Sequence, residues 1–442
     1  MTFALMEESR VVLVNMCLYM ALFVFCWYRF KFKNLTTFLA LLYMFSAISS
    51  YLLYNFPLYR MSFTAVGSIT LEASIYLFLL NMILITTFSN AKLENLRILT
   101  LYNGSLILKW QKFLVISLSI YALACFPSSV TAFFGGSDLA DLRNEQYGDN
   151  TAASPFFAVN IISRIFGALT LALLCIPFIN YFILKKTSRW DKYALYVYAI
   201  TKINTILAAV SRATIVFSLL EVFVVLLLFL PFIGKKMKKI IFRWLVIMLT
   251  GTYLIFSVIT YARFESSGDE VLPVYSTLRY SGEAQLNFMA LVYPDLEKPW
   301  CGFRQLALFR RIIGLPYDDG TTRNGETIYD DYIELTYHWP HPVYVFYSLA
   351  GFWVINMGFV LPYIVAILVH CMFKRKYMKS RGRISYMLIF LTVVFASYYG
   401  KGIFYSDYQS EPGNMLILFL IYAFWALKRN GHAITISNNP YK

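Results

Sequence analysis

The sequence is poor in charged residues. Only 14% of its 442 residues are Asp, Glu, Lys or Arg, whereas 59% are hydrophobic. Soluble domains carry about 25% charged residues, so the composition excludes an ordinary soluble protein. Neither a Walker A motif nor a G-x-G-x-x-G fingerprint occurs, so the sequence gives no basis for ATP- or dinucleotide-dependent chemistry.

Cysteine and histidine are scarce too, with six and four residues. Five of the cysteines lie in apolar runs, and the sixth, Cys301, lies in a long polar loop. The spacings include no C-x-x-C and no Cys/His pattern. We therefore expect neither a disulfide framework nor a zinc site.

What the chain does contain is a series of about eleven apolar runs of membrane-spanning length. A helix needs roughly 20 residues to cross a bilayer, and such apolar segments can satisfy their backbone polar groups in lipid only as helices. The sequence thus predicts an all-α polytopic membrane protein. The predicted spans are 11–29, 35–55, 67–88, 112–134, 156–184, 193–210, 213–233, 244–262, 343–373, 384–398 and 414–428.

Lys and Arg are concentrated in every second loop between these runs. The basic segments contain only two acids, Glu94 and Asp191. Because cytoplasmic loops carry an excess of Lys and Arg, we expect the N-terminus outside and the C-terminus inside, with the first run retained as a span. The net charge of +15 then reflects orientation and anionic headgroups, not nucleic-acid binding. The basic segments are 29–33, 92–112, 185–192, 235–243, 374–383 and 428–442.

One outer connection, 263–342, is far longer than the others. Loops beyond about 15 residues are usually functional or disordered, and this one is rich in Tyr, Phe, Leu and Trp, a composition unlike that of disordered segments. We expect it to fold as an extracytoplasmic cap. It divides the chain into spans one to eight (1–262), the loop (263–342), and spans nine to eleven with a cytoplasmic tail (343–442).

Arginines on the outer side are candidates for phosphate binding, because the guanidinium fork binds phosphate bidentately. Within the loop, 301–314 reads as an amphipathic helix that carries Arg304, Arg310 and Arg311. Arg212 lies in a tight turn between the sixth and seventh spans. The alternatives are an interfacial helix that touches ordinary lipid headgroups and a snorkelling surface arginine.

Lys202 and Glu221 lie at equal distances in sequence from the middle of that turn. In an antiparallel hairpin both would sit roughly 14 Å below it. Ionisable groups at such depth face a partner or a water-filled cavity. We predict an outward-open polar cavity lined by this pair with Glu72 and Arg164; the alternative is a purely structural ion pair.

The end of the loop, 330–342, groups acids and histidines just before the ninth span. Asp331, His338 or His341 has the chemistry of a general base. Glu283, in RYSGEAQLNF, is a further candidate base. The alternatives are a divalent-metal site and a solvated cluster beside aromatic interface anchors.

In layout, the chain resembles the Wzy-type family of oligosaccharide repeat-unit polymerases (O-antigen and capsule polymerases). The features that carry the resemblance are about eleven spans, the short Ser211–Arg212 turn and one large late outer loop. This loop holds GFRQLALFRRIIGL (302–315), and HPVYVFYSLAGFWVINMGFVLPYIVAILV (341–369) follows, with an aromatic run, glycines and an apolar span.

The resemblance implies an integral-membrane glycosyltransferase of the bacterial inner membrane that acts on undecaprenyl-diphosphate-linked oligosaccharides at the outer leaflet. It would move the growing glycan onto a hydroxyl of the next lipid-linked repeat, without a metal or cofactor, and a chain-length regulator protein is an implied partner. The implied base is His338, His341, Asp331 or Glu283. The residues implied to hold the diphosphate are Arg212, Arg304, Arg310, Arg311 and Arg164.

Three alternatives remain. An O-antigen ligase shares this layout. A lipid-linked oligosaccharide flippase or transporter is disfavoured because such proteins tend to show two related halves and small outer loops. A structural or sensory membrane protein would not depend on the loop arginines.

Overall fold

The computed structural model describes residues 2–59, 69–96, 98–102, 104–134, 169–209, 212–264, 272–295, 348–380, 382–404 and 431–435. It is mostly helical (86%), as the sequence predicts. The eleventh predicted span, 414–428, lies outside the described residues, and the fifth is described from Leu169 onward.

Four of the described helices are long and apolar enough to cross a membrane. They expose large apolar side chains on their surface; Val24 and Phe25, for example, are each 57% exposed. Such a surface suits lipid rather than water. These are the features of an integral membrane protein. The four segments are Met6–Phe30, Leu35–Tyr54, Ser105–Pro127 and Thr214–Phe232, and shorter apolar helices occupy Leu71–Thr86, Thr170–Ile183 and Tyr386–Lys401.

Most of the described helices overlap the predicted spans in position. Two π-helical turns, Ile179–Ile183 and Phe288–Val292, each continue a preceding α-helix. In chain order the elements are α1 Thr2–Phe30, α2 Leu35–Tyr54, α3 Leu71–Thr86, β1 Ile98–Tyr102, α4 Gly104–Phe134, α5 Thr170–Phe178, α6 Arg189–Ala209, α7 Arg212–Phe229, α8 Lys235–Phe264, α9 Leu272–Asn287, α10 Ser348–Met357, α11 Leu361–Lys379, β2 Arg383–Ser385, α12 Tyr386–Lys401 and β3 Gly431–Thr435.

The predicted span 343–373 is not one helix in the part that is described. It is divided into α10 and α11 at Gly358, which has a φ of 71°. Glycine adopts this left-handed conformation without the steric cost that a Cβ brings. Pro362 then occupies the second position of α11, where its missing N–H costs no helical hydrogen bond.

The prediction of an all-α fold is wrong at one place, because the described residues include a small sheet of order β2-β1-β3. β1 pairs in parallel with β2 and antiparallel with β3. Leu99 and Ile384 are buried in it. The sequence does not predict this sheet, because its strands are short and come from basic segments that are far apart in the chain.

The described residues form two compact units. The first is formed by the described residues within 1–91, 271–379 and 395–414, and the second by those within 92–270, 380–394 and 415–442. In the first, α2 packs against α1 and α9. In the second, α6 packs against α4 and α5.

A buried acid fixes the start of α6 in the second unit. Asp191 accepts hydrogen bonds from Gln111 and Asn180, both at 2.8 Å, and from the Ser188 backbone N–H at 2.7 Å. The Ser188 hydroxyl accepts in return from the Asp191 N–H, which makes a capping box. Asp191, one of the two acids in the basic segments, therefore has a structural role.

Candidate functional site

The most unusual helix of the first unit is α9, which comes from the predicted outer loop. Its polar sequence would suit a solvated surface, yet residues 282–290 are all buried. It packs against α2 and contacts α1 through a hydrogen bond, so it is part of the helical core of the first unit. A buried stretch that includes Glu283, Gln285 and Asn287 must find polar partners inside the protein.

Small residues let α9 approach α2 closely. The Ser46 hydroxyl donates to the carbonyl oxygen of Ser281 at 2.9 Å, and the Ser50 hydroxyl donates to that of Gly282 at 2.7 Å. A Cβ atom on Gly282 would lie 2.5 Å from backbone atoms of Ser49 and Ser50. The crossing of these two helices therefore depends on a glycine.

An amide network joins α9 to two further helices. Asn15 of α1 donates from Nδ2 to Gln285 Oε1 at 2.8 Å, and its own Oδ1 accepts from the Ser74 hydroxyl of α3 at 3.3 Å. All three residues are almost fully buried. These three buried side chains satisfy one another's hydrogen bonds in place of water. Because a shift of α9 along its axis would break these bonds, the network fixes the register of α9.

Arg279 and Glu283 form an ion pair one turn apart on α9. Arg279 Nε lies 3.0 Å from Glu283 Oε2, and Nη2 lies 3.0 Å from Oε1, which is a bidentate arrangement. The Glu283 side chain is 2% exposed and that of Arg279 is 20% exposed. The guanidinium group thus lies at the edge of the buried region with its orientation fixed.

This pair changes how Glu283 can act. The sequence suggests it as a base, but both of its carboxylate oxygens accept hydrogen bonds from Arg279. A role as proton acceptor therefore requires Arg279 to release it. The i, i+4 spacing of the two residues was the signal that could have indicated Arg279 from the sequence.

Aromatic side chains surround the π-helical turn that follows α9. Tyr76 stacks on Phe288 with ring centroids 5.9 Å apart, and it meets Tyr363 edge-on at 4.9 Å. Tyr293 contacts Phe359 at 5.1 Å. π-helical turns often occur at functional sites, and this one places a dense aromatic cluster directly after the buried polar stretch.

The second unit holds the ion pair of the α6–α7 hairpin. Lys202 Nζ lies 3.0 Å from Glu221 Oε2, so the two side chains predicted to share one depth do meet. The Tyr198 hydroxyl donates to the same carboxylate at 2.9 Å, and Lys202 Nζ lies 5.5 Å from the Tyr198 ring centroid. The side chains of Lys202 and Glu221 are 18% and 4% exposed.

The other predicted site residues are described in part or not at all. Arg212 is the first residue of α7, and only its backbone is described. Glu72 is exposed in the first turn of α3. Across the described ranges, no group of three or more His, Cys, Asp and Glu residues could hold a metal ion. Outside the described residues lie Arg164, Arg304, Arg310, Arg311, Asp331, His338 and His341.

Comparisons of this chain with family models, with curated proteins and with solved structures find no match. Its function is therefore inferred from its residues and from their arrangement.

Proposed function

We propose that the protein is an oligosaccharide repeat-unit polymerase of the Wzy type in a bacterial inner membrane. It transfers a growing glycan from undecaprenyl diphosphate to a hydroxyl of another lipid-linked repeat unit at the periplasmic face. The observation that carries this proposal is α9, a polar helix of the long outer loop that lies buried beside span-length helices. A substrate with a lipid tail and a charged, sugar-bearing head needs polar protein groups next to the bilayer.

The proposed orientation, with eleven spans and the basic loops inside, is supported by the small sheet. Its strands come from the basic segments 92–112 and 374–383 and from the tail. Strands that share backbone hydrogen bonds must lie on the same side of a membrane. Six predicted spans separate β1 from β2, and two separate β2 from β3; both numbers are even, as a shared side requires.

The reaction needs a base and a stabilised leaving group. The acceptor hydroxyl forms a bond to the anomeric carbon of the donor sugar, and the bond between that carbon and the diphosphate oxygen breaks. The electron pair leaves with the lipid diphosphate, whose charge is neutralised by Arg212, Arg164 and the loop arginines Arg304, Arg310 and Arg311. The hydroxyl proton passes to His338, His341 or Asp331.

The described ion pairs support this chemistry by holding elements in place. Lys202 and Glu221 join α6 to α7, and Arg212 stands at the start of α7. Fixing this hairpin limits where Arg212 can lie. In the first unit, Glu283 holds the guanidinium group of Arg279 in a fixed orientation on α9, near the start of the loop.

The experiment is complementation in a bacterium that makes lipid-linked repeat units but lacks its own polymerase. The unaltered protein should restore a ladder of polymer lengths on the lipid diphosphate. Arg304→Ala and Arg310→Ala should each abolish the ladder while single repeat units accumulate at the outer leaflet. Gel electrophoresis of the extracted glycolipids measures both species.

The matched control is Arg375→Ala in α11, an exposed arginine of a basic segment on the proposed inner side. It should leave the ladder unchanged. A full ladder in both loop variants would remove these arginines from the site. Glycan joined to lipid A core instead of lipid diphosphate would identify a ligase, and loss of repeat units from the outer leaflet would identify a flippase.

A further inference from the structure

A groove of about 600 Å³ runs along the first turns of α8. None of its lining residues belongs to either ion pair, and it is open to its surroundings. All of its lining residues come from this one helix, with the two lysines first and two aliphatic residues last. The lining residues are Lys238, Lys239, Phe242, Arg243, Val246 and Ile247.

The spacing of these residues places cationic and apolar side chains on neighbouring faces of α8. Lys239 and Arg243 are four residues apart, as are Phe242 and Val246, so each pair shares a helix face. Phe242 is 69% exposed and Ile247 is 52% exposed, a large apolar area for a surface that bears three cations.

Among the described residues, the three cations form no ion pair with an acid. Residues 231–250 include no Asp or Glu. A cluster of positive charge that no described acid neutralises attracts an anion. The adjoining exposed apolar surface suits hydrocarbon, which a small inorganic anion does not offer.

We infer that this groove binds one anionic phospholipid from the cytoplasmic leaflet. The headgroup phosphate contacts Lys238, Lys239 and Arg243, and the acyl chains follow Phe242, Val246 and Ile247 along α8. This arrangement fits α8 because the helix continues from a basic segment directly into the predicted eighth span. The choice of the cytoplasmic leaflet rests on the orientation proposed above. The existence of the groove does not depend on that orientation.

The test uses the purified full-length protein in detergent micelles, titrated with dioleoyl-phosphatidylglycerol or dioleoyl-phosphatidylcholine. Native mass spectrometry measures the fraction of protein that retains a lipid. The unaltered protein should bind phosphatidylglycerol at least about tenfold more tightly, because each Lys or Arg near an anionic headgroup adds substantial attraction. The triple variant Lys238→Gln, Lys239→Gln, Arg243→Gln should lose this preference.

The matched control is the triple variant Lys374→Gln, Arg375→Gln, Lys376→Gln, which removes the same charges from exposed positions of α11 outside the groove. It should keep the preference. The inference is overturned if the groove variant keeps the preference, if the control loses it equally, or if inorganic phosphate displaces the lipid. Phe242→Ala should weaken the binding of both lipids, because it removes apolar contact with the acyl chains. Thermal unfolding confirms that each variant is folded. Micelles have no sides, so these results are independent of orientation and of polymerase activity.

Discussion

Lys202 and Glu221 form a nearly buried ion pair, and loss of either partner leaves the other charge without it. We therefore expect Lys202→Glu and Glu221→Lys each to lower the free energy of unfolding by about 3 kcal/mol. The double swap reverses the two charges and should recover most of this loss. Thermal unfolding in detergent measures stability, and the polymer ladder measures activity in the same variants.

The control for this swap is Lys192→Glu, which makes the same charge change at an exposed position of the same helix. It should alter stability by no more than about 0.5 kcal/mol. A double swap as unstable as the worse single variant would show that direct pairing of residues 202 and 221 does not stabilise the hairpin. Stability restored without activity would instead show that the pair does more than hold two helices together.

At the scale of elements, the crossing of α2 and α9 depends on Gly282. A methyl group there would meet backbone atoms of Ser49 and Ser50 at 2.5 Å, and backbone cannot move aside as a side chain can. Gly282→Ala should therefore destabilise the protein by about 1–3 kcal/mol through overpacking. The shift of the thermal unfolding midpoint measures the effect.

Gly251→Ala in α8 is the matched control, because a Cβ there meets no described atom within 4 Å. Alanine favours helix over glycine by roughly 1 kcal/mol, so this variant should be as stable as the unaltered protein or slightly more so. Equal destabilisation at both positions would contradict the close crossing. It would point instead to a general intolerance of alanine in these helices.

The elements differ in how well sequence predicts them. Apolar runs such as Leu35–Tyr54 are recognised correctly because length and composition decide their structure. The pairing of Lys202 with Glu221 follows from counting residues along a hairpin, which is a local property. In contrast, the burial of α9 depends on Asn15, Ser46 and Ser50, which lie more than 200 residues away in sequence.

Polar composition therefore misleads for α9. Gln285 and the backbone carbonyls of Ser281 and Gly282 bond to partners on α1 and α2 that no local pattern of its own sequence reveals. Glu283, in contrast, has its partner, Arg279, on the same helix. The small sheet is missed for the same reason, since its three strands come together only in the folded chain. The division of the ninth span at Gly358 does have a local signal, because Pro362 follows this glycine closely. A hydropathy average does not detect such a signal.

For the whole molecule, the sheet and the charge sorting make a joint prediction about sidedness. In a variant whose six cysteines are replaced by serine, single cysteines report which side each position occupies. A membrane-impermeant maleimide should label Ser137→Cys and Thr321→Cys in intact spheroplasts. It should label Lys92→Cys, Lys376→Cys and Lys442→Cys only after permeabilisation, because these belong to the basic segments.

The sheet and the orientation make separable demands on this experiment. The sheet requires the segments of Lys92, Lys376 and Lys442 to share a side, whichever side it is, because their strands exchange backbone hydrogen bonds. The charge sorting requires that side to be the cytoplasm. If only one of these three single cysteines were labelled in intact spheroplasts, the sheet could not form in the membrane-embedded protein. Labelling of all three in intact spheroplasts would reverse the orientation, place the loop arginines in the cytoplasm, and leave no periplasmic site for a lipid-linked glycan.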